Sequence, residues 1–489
     1  MYHQPSKRRQ LIQRIVVYAI MSLAVIALVT ALVFVMLGYQ FNRGDGKIEQ
    51  GGLVQFDSRP SGADVTIDGA NFGSNTASKT TMTAGQHFIT MNRTGYKGWQ
   101  KSVDVVPGTV LWLNYARLIP KDLKVANVAS FAAISSTVSS PDDKWMAIKE
   151  DPATPAIRLA NVTEDTPKIT TLELPAASYT HPAPDKTQRF SLEKWDPDSR
   201  YILVKHSYDD TKVEWIIADT QDVAQTKNVT RLLDIDASKI VFDEGNSAIV
   251  YAQIGNDVRK VDLGAATLSR PLVTNVAEFS LYDRSTIVYS TVIDPKTNTR
   301  SVGYYQDGTE LPRTIRSYAD DGKPTLHLAI GKYFSDPYVA IAYGENVEIL
   351  KGALPATEKQ AATSLHHQAS LTMPGGTQYV SVKTNGRFVI VQNGALYKTY
   401  DVELQKTTET TLKGTADVTK ELVWLDNYML WSDRDNMLRL YEFDGTNQHD
   451  VMPVASGFSA NLSPNSKYLY GIMKENDTAY HLQRVRLLL

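Results

Sequence analysis

Few residues in this sequence are spaced for chemistry. His366-His367 is the one adjacent pair of histidines. Neighbours along a strand point to opposite faces, so these two imidazoles do not converge on a metal. Asp433-Arg434-Asp435-Asn436 and Asp196-Pro197-Asp198 carry oxygens of the kind a hard cation takes. Neither has the spacing of a calcium loop with its terminal Glu, and both read better as turns. No G-x-S-x-G elbow, P-loop, dinucleotide glycine pattern or H-E-x-x-H run occurs. The chain has no Cys, which removes thiolate nucleophiles, thiolate metal sites and disulfides. No catalytic residue, metal ligand or cofactor site is expected, and the chain reads as a non-enzyme.

Two further sets of residues have bland readings. Asn161-Val162-Thr163 and Asn228-Val229-Thr230 match glycosylation acceptors, a triplet that arises often by chance. Trp195, Trp215, Trp424 and Trp431 are of the type that lines glycan surfaces, but they sit in or beside expected strands, where core packing accounts for them. The net charge is −2 over 489 residues, with both signs scattered. No global field steers nucleic acid, and none is expected as a partner.

The elements that position these residues begin with an apolar run. Residues 15–37, IVVYAIMSLAVIALVTALVFVML, contain no charge, Pro or Gly. About 20 apolar residues in a helix cross a hydrocarbon core, so this run is a transmembrane helix whose partner is the bilayer. Lys7, Arg8, Arg9 and Arg14 precede it, while Arg43 and Lys47 beyond it are mixed with Asp45 and Glu49. The basic excess keeps residues 1–14 in the cytoplasm and puts the bulk of the chain outside. The run is too long for the core of a cleaved signal peptide, although Val29-Thr30-Ala31 is a weak cleavage candidate. Residues 38–52 read as a Gly-rich polar linker.

Residues 53–120 carry the turn chemistry of a small β-sandwich. Val54 and Phe56 alternate with polar neighbours. Pro60 stops that strand and Gly62 permits a turn. Val65 and Ile67 share a face before the tight turn Asp68-Gly69. Gly85 leads into a strand in which His87, Ile89 and Met91 share a face, and Gly95, Tyr96 and Trp99 follow. This order resembles the PEGA domain, with Pro60-Ser61-Gly62-Ala63 standing at its tetrapeptide and Ser61 at the Glu position. The resemblance implies a non-catalytic extracytoplasmic sandwich beside a membrane anchor, with no known ligand. Pro60, Gly62, Gly69, Gly85 and Gly95 then serve the backbone, and Tyr96 and Trp99 the core. The module reads as a stiff spacer.

From 121 to 489 one pattern recurs. A turn rich in Asp, Asn, Ser or Gly precedes a short apolar run: WMAI, YILV, AIVY, TIVY, VAIA, FVIV, YMLW and YLYG. Their starts fall roughly 40–55 residues apart, a propeller period, and continuous apolar runs suit middle strands buried on both faces. SSPDDKWMAIKE and NLSPNSKYLYGIM resemble the strand-turn of TolB-like and WD40-like bacterial propellers, and WDPDSRYILVKH is a weaker copy. The resemblance implies fold and repeat type only. The expected fold is therefore all-β beyond one transmembrane helix, with a PEGA-like sandwich and a propeller of about eight blades. The last repeat is one strand short, and residues 123–130, LKVANVAS, are placed to supply it. An unidentified envelope protein or glycan is the expected partner. A propeller enzyme of lyase or glycosidase type at the central channel, and an envelope sensor acting through a membrane partner, are the alternatives.

Overall fold

The computed structural model describes residues 7–36, 38–42, 46–320, 325–355, 364–383, 385–415 and 420–488. An apolar helix runs over Lys7–Met36. Its stretch Leu11–Met36 has a mean hydropathy of 2.8 and is not covered by any other part of the chain. The helix starts earlier than the apolar run, because Lys, Arg and Gln are good helix formers that extend it toward the N-terminus. Lys7, Arg8, Arg9 and Arg14 therefore stand on the first turns of the helix and not in a separate tail.

The residues read as a linker are not irregular. Tyr39–Asn42 pairs antiparallel with Lys47–Gln50, which satisfies backbone groups that a loose spacer would leave to water. Tyr39 packs edge-on against Phe34, 5.0 Å between ring centroids. Arg43 and Asp45 lie outside the described residues.

The chain divides into two units, one reaching Asp122 and the other spanning 123–487. In the first, Gly52–Arg59 pairs antiparallel with Ser78–Met82 and parallel with Val110–Arg117. A second sheet orders Ala70–Asn75, Asp64–Ile67, Gly85–Asn92 and Trp99–Val105. The two sheets share a core of Val54, Phe56, Val65, Ile89, Met91, Tyr96 and Trp99. Alternate residues of each strand enter it, as the strand period requires. Asp68 and Gly69 both have positive φ (51° and 81°), the backbone of a two-residue hairpin turn. Gly62 (φ 79°) turns the chain so that its N–H donates to Thr76 O at 2.8 Å. The adjacent Ala63 is fully buried and donates to Thr76 Oγ1 at 2.9 Å. Ser61 is exposed, so the turn places no demand on its side chain.

The described residues of the second unit form eight four-stranded antiparallel sheets. Each of the eight apolar runs forms the second strand of a sheet, from Trp145–Lys149 to Tyr468–Asn476. Neighbouring sheets share apolar clusters. The eighth packs on the first, with Tyr470, Ile472 and Leu482 in one cluster with Met146 and Ile148. Val125–Phe131 is the outer strand of the eighth sheet, paired with Ala479–Arg486 from Val125↔Val485 to Phe131↔Tyr480. The start and the end of the propeller are thus joined in one sheet.

The Ser-Pro-Asp turns have a common geometry. Ser140 Oγ donates to Asp142 Oδ1 at 2.6 Å and accepts from Trp145 N at 2.9 Å. Ser463 Oγ does the same with Asn465 (2.8 Å) and Tyr468 N (2.9 Å). In the third copy Asp196 Oδ1 accepts from both Arg200 N and Tyr201 N. Each turn ends on a residue with positive φ: Asp143, Ser466 or Ser199.

Truncating Phe131 to Ala removes the largest apolar contact of the closing strand. It should destabilise the propeller by about 3 kcal/mol, the cost typical of a buried Phe. Deleting 123–131 should lower the melting point further and expose the 479–486 edge to proteolysis. An unchanged melting transition in the deletion would show that this strand does not hold the ring.

Candidate functional site

The first strands of the blades stand side by side and enclose a channel. Leu192 N donates to Ser136 Oγ (3.2 Å), Lys239 Nζ to Phe279 O (2.7 Å) and Ser459 N to Thr137 Oγ1 (2.8 Å), each bond joining one blade to the next. These strands and the residues beside them bring charges from blade after blade to one place. Lys194, Lys239, Glu278, His327, Lys383 and Glu421 come from six different blades.

The charges act on one another across the opening. His327 Nδ1 lies 3.4 Å from Glu278 Oε2. That hydrogen bond holds the Glu278 carboxyl below its usual range, and Lys239 adds to it. Burial pushes the Lys239 ammonium down, while Glu278 pulls it back up. Burial raises Glu421, and the charge of His327, two blades away, opposes the rise. Burial, followed by the neighbouring Asp142, pushes Asp143 up to about 6, and Lys383 from the sixth blade draws it back. Groups on non-adjacent blades sense each other because the channel brings them into one low-dielectric opening.

Two cavities open on this wall. One, about 310 Å³, includes Ser139, Glu193, Lys194, Lys420 and Trp431. Lys420 bonds Asp433 at 2.9 Å and lies over the Trp431 ring at 4.9 Å. The other, about 260 Å³, includes Lys239, Glu278, Ser280 and Ser290. Glu278 and His327 form the start of an acid–base arrangement, a histidine beside a carboxylate. His327 Nε2 is buried and has no hydrogen-bond partner among the described residues.

Of the residues singled out in the sequence, Trp195 and Trp431 line the first of these cavities, and most of the others lie elsewhere. Pro60, Ser61, Gly62, Ala63, Asp68, Gly69, Gly85, Gly95, Tyr96 and Trp99 belong to the sandwich. There Asp68 accepts from Phe88 N and contacts His87 Nδ1 at 2.7 Å. His366 and His367 are on the last strand of the fifth blade, and His367 bonds Ser370 at 2.7 Å. Among the described residues no His, Asp and Glu group has metal-holding geometry. Asp433 and Asp435 accept from Gly457 N and Thr415 N, as turn residues do. Trp195 and Trp215 are buried and donate to Val138 O and Ala237 O. Trp431 is buried and Trp424 stacks on Phe388. Asn161 accepts from Thr163, and Asn228 is buried and donates to Ser178 O. The channel charges escaped the sequence reading, although each first strand mixes polar and apolar residues just before an apolar run.

Residues 52–118 match the PEGA domain. A comparison with curated proteins finds no match. Solved structures similar to this chain are propeller-type proteins. An oligogalacturonate lyase in complex with manganese is 11% identical with a TM-score of 0.41, covering 74% of this chain and 98% of its own. Kluyveromyces lactis Hsv2 is 10% identical with a TM-score of 0.38, covering 72% and 97%. A eukaryotic initiation factor is 12% identical with a TM-score of 0.37, covering 65% and 88%. Likeness at this level carries no functional argument.

Asp143 gives a pH test. Its carboxyl is raised in the folded state, so the folded chain binds the proton more tightly than the unfolded one. Folding is then penalised above pH about 6, and the penalty vanishes below the unfolded value near pH 4. Asp143→Asn keeps a residue tolerant of positive φ. It should stabilise the propeller by about 1–2 kcal/mol at pH 7.5, after discounting for solvent screening, and by nothing at pH 3.5. Melting curves at the two pH values read the difference.

Proposed function

We propose that this protein is a single-pass, membrane-anchored binding platform of a bacterial cell envelope. The helix crosses the bilayer with its N-terminus in the cytoplasm, and the PEGA domain and propeller lie outside. Lys7, Arg8, Arg9 and Arg14 ahead of the span support this orientation, because basic residues are retained on the cytoplasmic side. The propeller recognises a protein or glycan at its channel mouth and does not turn it over.

The observation that carries the binding reading is the channel wall. Lys194, Lys239, Glu278 and His327 are held on the first strands of separate blades, and Lys383 and Glu421 lie beside those of two more, with opposite signs acting on each other. Such a surface gives a partner charge complementarity and register, the features that set specificity.

The Glu278–His327 contact favours a second reading, a propeller enzyme in which the carboxylate orients the imidazole. Incubating the full chain with envelope polysaccharides separates the two. Shortened products abolished by His327→Gln would replace the platform with the enzyme.

Two outcomes are expected in cells. Protease added to intact spheroplasts should degrade residues 123–487, and full protection would reverse the orientation. A photo-cross-linking side chain at Lys194 should yield discrete adducts in native membranes, whereas one at Thr407 on an outer strand should not. Equal yields would remove the channel as the binding face.

A further inference from the structure

A cleft of about 660 Å³ opens between the fifth and sixth blades. Three segments build it. The 344–345 hairpin joins the second and third strands of the fifth blade. Residues 373–378 connect that blade to the next. Asn393 ends the second strand of the sixth.

Its polar groups are fixed at one atom and open at the other. Glu345 Oε1 accepts from Gly375 N at 2.8 Å. Gln378 Oε1 accepts from Gly394 N at 2.8 Å, and Asn393 Nδ2 donates to Pro374 O at 2.8 Å. Glu345 Oε2, Gln378 Nε2 and Asn393 Oδ1 have no partner among the described residues. Thr377 is 3% exposed, lines the cleft, and its Oγ1 is buried with no partner. A buried hydroxyl without a hydrogen bond is costly, and a ligand that supplies one recovers that cost. The ring of Tyr343 forms one wall. It is held by stacking on Tyr318, 4.7 Å between centroids, and by its hydroxyl donating to Ala319 O.

The composition narrows the ligand. Among the described residues no Lys or Arg lines the cleft, so these groups offer an anion no countercharge. A large apolar ligand would strand the open amide, carboxylate and hydroxyl atoms. A single carboxylate is too few for a hard cation. A neutral sugar suits every group. Its vicinal hydroxyls donate to Glu345 and Asn393 and accept from Gln378 and Thr377, and its C–H face lies on the Tyr343 ring.

We propose that this cleft binds a neutral oligosaccharide, with room for about two sugar rings at a volume typical of small-ligand sites. The inference rests on the non-enzymatic binding reading of the propeller and adds a ligand class at a second place on it.

The test uses the full chain in phospholipid nanodiscs, which avoids detergents with sugar headgroups. Maltohexaose, cellohexaose, mannohexaose and chitohexaose are titrated by calorimetry and by saturation-transfer NMR, with mass spectrometry of the sugars afterwards. At least one should bind. Asn393→Ala and Gln378→Ala should each weaken binding about tenfold with the propeller still melting in one transition, and Glu345→Gln should weaken it with the Gly375 contact kept. Lys194→Ala, on the channel wall, should leave binding unchanged. Binding by none of the four sugars, or binding indifferent to all three cleft variants, overturns the cleft inference and leaves the channel reading standing. Shortened sugars overturn the non-enzymatic reading, and this inference with it.

Discussion

The propeller depends on one pairing, that of Val125–Phe131 with Ala479–Arg486. A sheet edge left open offers unpaired N–H and C=O groups to any other strand. The eighth sheet would have such an edge if it were built from the C-terminal segment alone. Taking its outer strand from the start of the unit pairs that edge. It also ties residues more than 350 positions apart, as the Ser130–His481 and Asn127–Gln483 side-chain bonds show. Every other blade is made of consecutive strands. The single long-range pairing carries the largest loop-closure entropy, and the other seven sheets are free of it.

Polar groups inside the blades are arranged to fix strand ends. Arg200 makes a forked contact with Asp219, 2.6 Å at its shortest, and Arg387 does the same with Asp401 at 2.8 Å. Each Asp also accepts turn N–H groups, Gln221 and Asp222 in one case and Glu403 and Leu404 in the other. A bidentate pair of this kind sets geometry as well as energy. The same device in the second and sixth blades holds the turn after the third strand against the start of the second.

The second blade also buries a hydrogen-bonded His–Glu pair. His206 and Glu214 are fully buried, 2.8 Å apart. Burial alone would raise the Glu214 carboxyl. Hydrogen bonds from His206, Thr180 N and Thr180 Oγ1 outweigh it and hold the group at about 2. A carboxyl depressed in the folded state stabilises above its unfolded value and loses that contribution as pH falls toward 2. His206 stacks on Phe190, 4.1 Å between centroids, so the pair is packed as well as bonded. Charge is therefore used in two ways. Inside a blade it is satisfied and fixes register, and on the first strands it stays open to the channel.

Local chemistry in the sequence was sufficient for the architecture. The apolar run 15–37 demands a helix, Asp68-Gly69 demands a hairpin turn, and the eight short apolar runs, three of them led by a Ser-Pro-Asp-like turn, mark where each blade's second strand lies. These features act over a few residues, so a single chain displays them. Even the closing strand was legible, because the last repeat visibly lacked one. The first strands were not. Their charges look like solvated surface until the blades are arranged around an opening. Only then do Asp143 and Lys383, or His327 and Glu421, become neighbours in the electrostatic sense. The inter-blade cleft is of the same kind. Glu345, Thr377 and Asn393 are ordinary turn and loop residues in the sequence. Their open atoms share one space because adjacent sheets pack face to face, a relation that depends on tertiary contacts and leaves no periodic trace along the chain.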